Sequence, residues 1–316
     1  MGENSKIEWT THTLNFWIGC QEISPACDFC YAREQNAFRG WVKGWGSHGE
    51  RRRTKTWGDA LRWNRTARET GIRAKVFSNS LSDFFDNAVD ETGIRDEAWQ
   101  VIDECRDLDW LLLTKRPQLI TNRLPADWMT RGPDGWLIPW PHVWLGCTTE
   151  NQEEADRRIP HLLAVPAAMH FLSCEPLLGP VDLTHILAPR DTTDDLGWTF
   201  NALDTGDYYQ FRDNLSYWQS GDGPHRDNRI SWVISGGESG PHARPSNPQW
   251  FRDIGRQCAD AGVAWFHKQN GEYASVSEVA GPGVHFSFSD GRTVRRVGKK
   301  AAGARLDGHE HKEMPR

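Results

Sequence analysis

The chain has 316 residues, a formal charge of −6 at pH 7 and seven cysteines. That length suits a single α/β barrel that is stable without disulfides, and an odd cysteine count argues against a secreted disulfide framework. The acidic balance argues against general electrostatic attraction to nucleic acid, and neither a secretory leader nor a membrane span is expected, so the sequence points to the cytoplasm.

In chain order, the first β-rich apolar run is Leu14-Asn15-Phe16-Trp17-Ile18, which ends at Gly19-Cys20. A basic stretch follows over 39–65, with Arg39, Lys43, Arg51, Arg52, Arg53, Lys55, Arg62 and Arg65 interleaved with Trp41, Trp45, Trp57 and Trp63. Cations beside aromatics suit a phosphate backbone with stacked bases, and they equally suit a basic surface loop whose tryptophans are core. The second run, Lys75-Val76-Phe77, ends in Ser78-Asn79-Ser80-Leu81-Ser82-Asp83. The third, Trp110-Leu111-Leu112-Leu113, ends in Thr114-Lys115-Arg116-Pro117. The fourth, His142-Val143-Trp144-Leu145, ends in Gly146-Cys147-Thr148-Thr149-Glu150. The fifth, Met169-His170-Phe171-Leu172, ends in Ser173-Cys174-Glu175-Pro176. The sixth, Trp232-Val233-Ile234, ends in Ser235-Gly236-Gly237-Glu238. The last, Ala264-Trp265-Phe266, ends in His267-Lys268-Gln269-Asn270.

Most runs start roughly 30 residues apart, the length of a strand–helix unit. Helical segments fit between them, opening at Asp90-Glu91-Thr92, at Asn151-Gln152 and at Asn247-Pro248. Runs that are apolar throughout suit parallel strands buried on both faces, in a sheet either open or closed into a barrel. Polar residues collect at one end of every run, which in barrels is the active-site end. The segment 188–230, rich in Asp, Gly and aromatic residues, reads as an insertion over the barrel mouth, either a lid or a surface elaboration. The barrel is expected to end near residue 290. Residues 291–316, basic and without apolar period, read as a mobile tail.

Three cysteines carry most of the chemistry: Cys20, Cys27 and Cys30, spaced C-x6-C-x2-C. Three thiolates can hold three irons of a [4Fe–4S] cluster and leave the fourth iron open to a small molecule. A structural zinc would need a fourth ligand, for which His12 and Cys105 are the candidates. That alternative is a zinc-dependent nucleic-acid-binding protein without catalysis. Cys147 and Cys174 fall at strand ends on the same face. Each is either a hydrogen-atom donor to a substrate radical or a small buried apolar residue.

Cys27-Asp28-Phe29-Cys30 resembles the C-x-aromatic-C ending of the radical S-adenosylmethionine superfamily, although Cys20 lies six residues before Cys27 where the common motif has three. The whole chain is similar to a phage-associated branch with this three-cysteine motif. The likeness runs through Ile7-Glu8-Trp9-Thr10, Leu113-Thr114-Lys115-Arg116-Pro117, Trp144-Leu145-Gly146-Cys147-Thr148-Thr149-Glu150, Ser173-Cys174-Glu175-Pro176-Leu177 and Trp232-Val233-Ile234-Ser235-Gly236-Gly237-Glu238-Ser239-Gly240. The resemblance implies a partial (β/α)6 barrel of parallel strands with the cluster loop after the first strand. It implies that Cys20, Cys27 and Cys30 hold a [4Fe–4S] cluster, and that S-adenosylmethionine on the fourth iron yields a 5′-deoxyadenosyl radical that takes hydrogen from substrate.

Under that resemblance Phe29 lies near the adenine. Asn79, Ser80 and Asp83 offer acceptors for the cofactor ammonium, and Lys115 or Arg116 pairs with its carboxylate. Thr148, Glu150 and Glu175 serve ribose hydroxyls or substrate. Gly236-Gly237-Glu238 matches a cofactor-binding tripeptide in letters but follows a late strand, so its glycines are assigned instead to close approach of backbone to adenine or substrate. The implied partners are a low-potential electron donor such as flavodoxin or ferredoxin and a nucleic acid or nucleotide substrate. The expected chemistry is modification, isomerisation or repair of a nucleobase, with a peptide or small metabolite as the alternative substrate.

Overall fold

The computed structural model describes residues 2–132, 135–188, 199–204 and 228–315. The chain divides into two compact units. One holds Met1–Cys147 with Val165–Met169, the other Thr148–Ala164 with His170–Arg316. The fold is mixed α/β around a seven-stranded sheet whose strands lie in chain order. Every strand pair given below is parallel unless stated.

In the first unit these strands are β1 (His12–Leu14), β2 (Lys75–Ser78), β3 (Asp109–Thr114) and β4 (Val143–Thr148). His12 pairs with Val76, Val76 with Trp110, and Trp110 with Val143. Trp110, Leu111 and Leu112 are fully enclosed, as the apolar runs require. The first run, expected as one strand to Ile18, breaks after Leu14. There the Asn15 side chain accepts from Leu81 N (2.7 Å) and donates to Ser80 Oγ (3.0 Å), competing with the ladder. Trp17–Ile18 then pairs antiparallel with Arg52–Arg53.

Helices α1 (Tyr31–Arg39) and α2 (Gly58–Thr70) each end at a left-handed glycine, Gly40 and Gly71. Helix α3 (Ile94–Glu104) carries Ala98, Trp99 and Ile102 inward. Trp99 is the hub of an aromatic core, 4.8 Å from Phe84 and 5.9 Å from Trp140 by ring centroid. Trp57 and Trp63, in the basic stretch, are likewise core residues.

The second unit holds β5 (Met169–Cys174), β6 (Ile230–Gly236) and β7 (Ala264–Gln269), with α4 (Gln152–Leu163) and α5 (Pro248–Ala261). Asn151 and Asn247 cap the two helices, accepting from Glu154 N and Gln249 N. Of the 188–230 insertion, residues 189–198 and 205–227 lie outside the described residues, and the expectation of a lid lies there with them. Thr199–Phe200 pairs antiparallel with Ile186–Leu187.

Residues 291–315 carry regular structure and are not the bare tail the composition implied. A three-stranded antiparallel sheet forms from β8 (Tyr273–Ser275), β9 (His285–Ser287) and β10 (Thr293–Arg296), with β10 central. Further on, Lys312 bridges Phe266 antiparallel, His267 N donates to His311 O (2.7 Å), and Glu313 N donates to Trp265 O (3.1 Å). The segment thus covers the outer edge of β7, whose N–H and C=O groups would otherwise face water. This attachment runs through backbone groups, so it leaves no apolar period in the sequence.

His267 shows how tightly β6 and β7 are joined. Its Nε2 lies 3.0 Å from Asn270 Oδ1, and Asn270 Nδ2 is spent on Ala302 O and Arg305 O. Nε2 therefore carries the proton, and Nδ1 accepts from Ser235 Oγ at 3.1 Å. Burial, joined by Lys312 and His311 and opposed by the Asn270 bond, lowers the His267 pKa to about 4. The unfolded chain takes up this proton near pH 6.5 and the folded chain only near 4, so stability is full above 6.5 and falls between the two. The expected outcome is a melting temperature that drops across that window, with a shallower drop in His267→Gln. Thermal unfolding followed by circular dichroism at stepped pH checks it.

Candidate functional site

Cys20, Cys27 and Cys30, in the first unit, share one loop between Trp17–Ile18 and α1. Gly19, at φ +113, lies where an added Cβ would sit 2.2 Å from Glu50 O, so only glycine lets the loop start so close to that backbone. Gly19 N donates to Leu81 O (3.2 Å), the Tyr31 hydroxyl donates to Ser80 O, and Arg116 donates to Gln21 O (2.9 Å). The loop is therefore fastened at three points to the segments that follow β2 and β3. Cys27 is buried, Cys30 packs against Ile18, Ala32, Val42 and Leu81, and Phe29 between them is half-buried. Burial, with Asp83 adding to it, pushes the Cys20 thiol up to about 12.

Asp83 sits under this loop with every lone pair engaged. Oδ1 accepts from Thr114 Oγ1 (2.7 Å) and Phe85 N (3.0 Å), while Oδ2 accepts from Lys115 N (3.0 Å) and Arg116 (2.9 Å). Burial alone would raise its pKa. Arg116, Thr114 and the two backbone N–H groups outweigh that and hold it below the ordinary carboxylate value. The expectation that Asp83 accepts an ammonium meets a carboxylate with no acceptor capacity left. Ser80 spends its hydroxyl on Asn15 and its carbonyl on Tyr31.

Asn79 is different. It is buried, has φ +62, and its Oδ1 accepts from Phe16 N and Ser78 Oγ, both at 3.1 Å. Its Nδ2 has no partner among the described residues. What Asn79 offers is thus a donor, suited to a carboxylate or ring nitrogen, and not the acceptor expected from sequence.

Among the described residues, no group of three or more His, Cys, Asp or Glu side chains gathers as a metal site. His12 stacks on Trp63 at 4.2 Å and Cys105 is fully enclosed. Cys20, Cys27 and Cys30 are three sulfurs on one loop, the kind of donor an iron–sulfur cluster takes, and the unpartnered Asn79 Nδ2 lies just past the end of β2.

Three cations of the basic stretch are paired with acids of their own unit. Arg51 pairs with Asp86 (2.7 Å), Arg53 with Glu97 (3.0 Å), and Arg62 with Glu3 and Asp59. Arg53 also stacks over Trp57 at 3.7 Å.

In the second unit, Glu150 is fully buried and bonded to Arg158 (2.7 Å), which also donates to Thr148 O. Glu150 and Thr148 therefore serve the inside of the fold. Cys174 and Cys147 are fully enclosed; Cys174 Sγ lies 3.2 Å from Thr149 Oγ1, and burial pushes its thiol up to about 12. Glu238 is committed to Arg244, which donates to both of its oxygens. Glu175 is partly exposed and held by Lys268 and Gln269. An added Cβ at Gly236 would sit 3.1 Å from the Glu175 carboxyl carbon, and one at Gly237 2.2 Å from Asn270 O.

A family model described as "Protein of unknown function (DUF5131)" matches residues 4–315. The chain belongs to that family. Neither the curated proteins nor the solved structures gave a match.

Sequence reasoning missed Tyr31, Arg158, Lys268 and Gln269. Only the last two had a signal, since they close the seventh apolar run in the same position as the assigned residues of the other runs.

Asp83→Asn would leave the Arg116 guanidinium buried without its counter-charge. The expected loss is about 3–5 kcal/mol of stability, the range for breaking a buried pair on one side. Urea unfolding measures the loss. Limited proteolysis should show the 19–30 loop cut sooner, because Arg116 also holds Gln21 O.

Proposed function

We propose that the chain is a radical S-adenosylmethionine enzyme on a partial (β/α)6 barrel. Strands in chain order, each followed by a polar segment, support the barrel. The carrying observation is the three-cysteine loop, fastened by Gly19, Tyr31 and Arg116 against the ends of β2 and β3. Cys20, Cys27 and Cys30 would hold three irons of a [4Fe–4S] cluster. When bound, the cluster and S-adenosylmethionine supply a radical able to take hydrogen from an unactivated carbon.

The chain's own residues do the rest. Asp83 and Arg116 fix the loop. Asn79 Nδ2 donates to an acceptor of the cofactor, and Lys115, half-buried just after β3, neutralises a carboxylate. The apolar face around Cys30 excludes water. A low-potential donor such as flavodoxin or ferredoxin provides the electron. A nucleobase-bearing substrate accords with the exposed cations Arg39, Lys43, Arg52, Lys55 and Arg65.

Oxygen-free purification, reconstitution with iron and sulfide, and addition of S-adenosylmethionine with a strong reductant test the reading. The expected result is about four irons per chain and release of 5′-deoxyadenosine. One tightly held zinc in a colourless protein would instead support the nucleic-acid-binding alternative. Cys27→Ala should lose the cluster and the cleavage together; cleavage surviving in that variant removes the ligand assignment. Asn79→Ala should keep the iron and weaken cofactor binding about tenfold, as expected for one lost hydrogen bond to a charged group.

A further inference from the structure

The pairing of β6 with β7 slips by one residue at its polar end. Ser235 faces His267, but Gly236 faces Gln269, so Lys268 is the extra residue of a bulge. In a regular strand, successive side chains point to opposite faces. The bulge brings two successive ones to a single carboxylate. Lys268 Nζ lies 2.8 Å and 3.0 Å from the two Glu175 oxygens, and Gln269 Nε2 lies 3.1 Å from Glu175 Oε1. Bulges recur beside binding sites because they re-aim side chains in this way.

Gln269 Nε2 also donates to Gly237 O at 3.2 Å. Both amide hydrogens are then used, which fixes the orientation of the amide. Its Oε1 is buried and has no partner among the described residues, in a side chain only 6% exposed. A buried acceptor without a donor is a desolvation loss with nothing returned, and native proteins keep few of them. Gly237 has no room for a Cβ here, because it would sit 2.2 Å from the Asn270 carbonyl oxygen, and one at Gly236 would press on the Glu175 side chain at 3.1 Å. The arrangement is therefore built into the backbone.

We propose that Glu175, Lys268 and Gln269 form a recognition site for a neutral amide group of a ligand. The amide N–H donates to Gln269 Oε1, and its C=O accepts from the Lys268 ammonium, which has a hydrogen to spare beyond its two bonds to Glu175. Neutrality follows from the pair already present: a ligand cation would meet Lys268 and a ligand anion would meet Glu175. A donor and an acceptor held side by side at fixed spacing are what one amide provides. The site lies wholly within the second unit and needs neither iron nor S-adenosylmethionine, so it stands or falls separately from the cluster reading.

Nitrogen-15 NMR of the full chain, following the Gln269 side-chain NH2 resonances, tests it. The probes are acetamide, N-methylacetamide, N,N-dimethylacetamide, methylammonium and ethylene glycol. Acetamide, with an N–H on the same side as its C=O, should shift those resonances saturably, whereas N-methylacetamide, whose N–H points away from its C=O, and N,N-dimethylacetamide, which has no N–H, should each bind about tenfold more weakly. Lys268→Met should weaken acetamide binding as well. Equal binding of the dimethyl compound, tighter binding of methylammonium or ethylene glycol, or no shift with any probe overturns the proposal. The comparison of probes on the unaltered protein decides it even if a variant fails to fold.

Discussion

Everything around the cysteine loop depends on one buried carboxylate. Asp83 gathers the Thr114 hydroxyl, the Lys115 N–H and the Arg116 guanidinium from the segment that ends β3, and the Phe85 N–H from its own turn after β2. The guanidinium then reaches on to the loop itself. A buried charge is tolerated only when its partners are in place, so the end of β2, the end of β3 and the loop are arranged together or not at all. The energetic cost of burying Asp83 is what makes the loop position specific.

The second unit repeats this logic with different chemistry. Glu150 is enclosed with Arg158, and Glu238 is clamped by Arg244. Acids that look functional from their place at strand ends prove to be internal fasteners, holding α4 and the turn after β6. Glu175 stands apart because its partners, Lys268 and Gln269, leave polar capacity unused. Position along the strand thus separates candidates poorly. The count of lone pairs and hydrogens still unspent separates them well.

Much of the sheet was legible because it rests on local pattern. Six of the seven apolar runs fall on strands of the main sheet and the first shares only Leu14 with β1, while Asn151 and Asn247 cap helices where their spacing predicted. The break at Asn15 was not legible, since it depends on Ser80 and Leu81, distant in sequence. The ordered segment after residue 291 was hidden for the same reason: its attachment to β7 uses main-chain groups that every residue shares. Site residues were legible as positions but not as roles. Asn79 was visible at a strand end, yet whether it gives or receives a hydrogen bond is decided by Phe16 and Ser78.

The pairing of residues 311–313 with β7 bears on the order in which the molecule is made. During synthesis the first unit's β1 to β4 emerge early and can pair with one another at once. The margin of β7 has to wait for partners that are translated some forty positions later, as Phe266 and Lys312 show. Until those residues clear the ribosome, a strand carrying Trp265 and Phe266 stands open to other nascent chains. A tag or fusion placed beyond residue 315 would act on that last closing step, and so on yield rather than on chemistry.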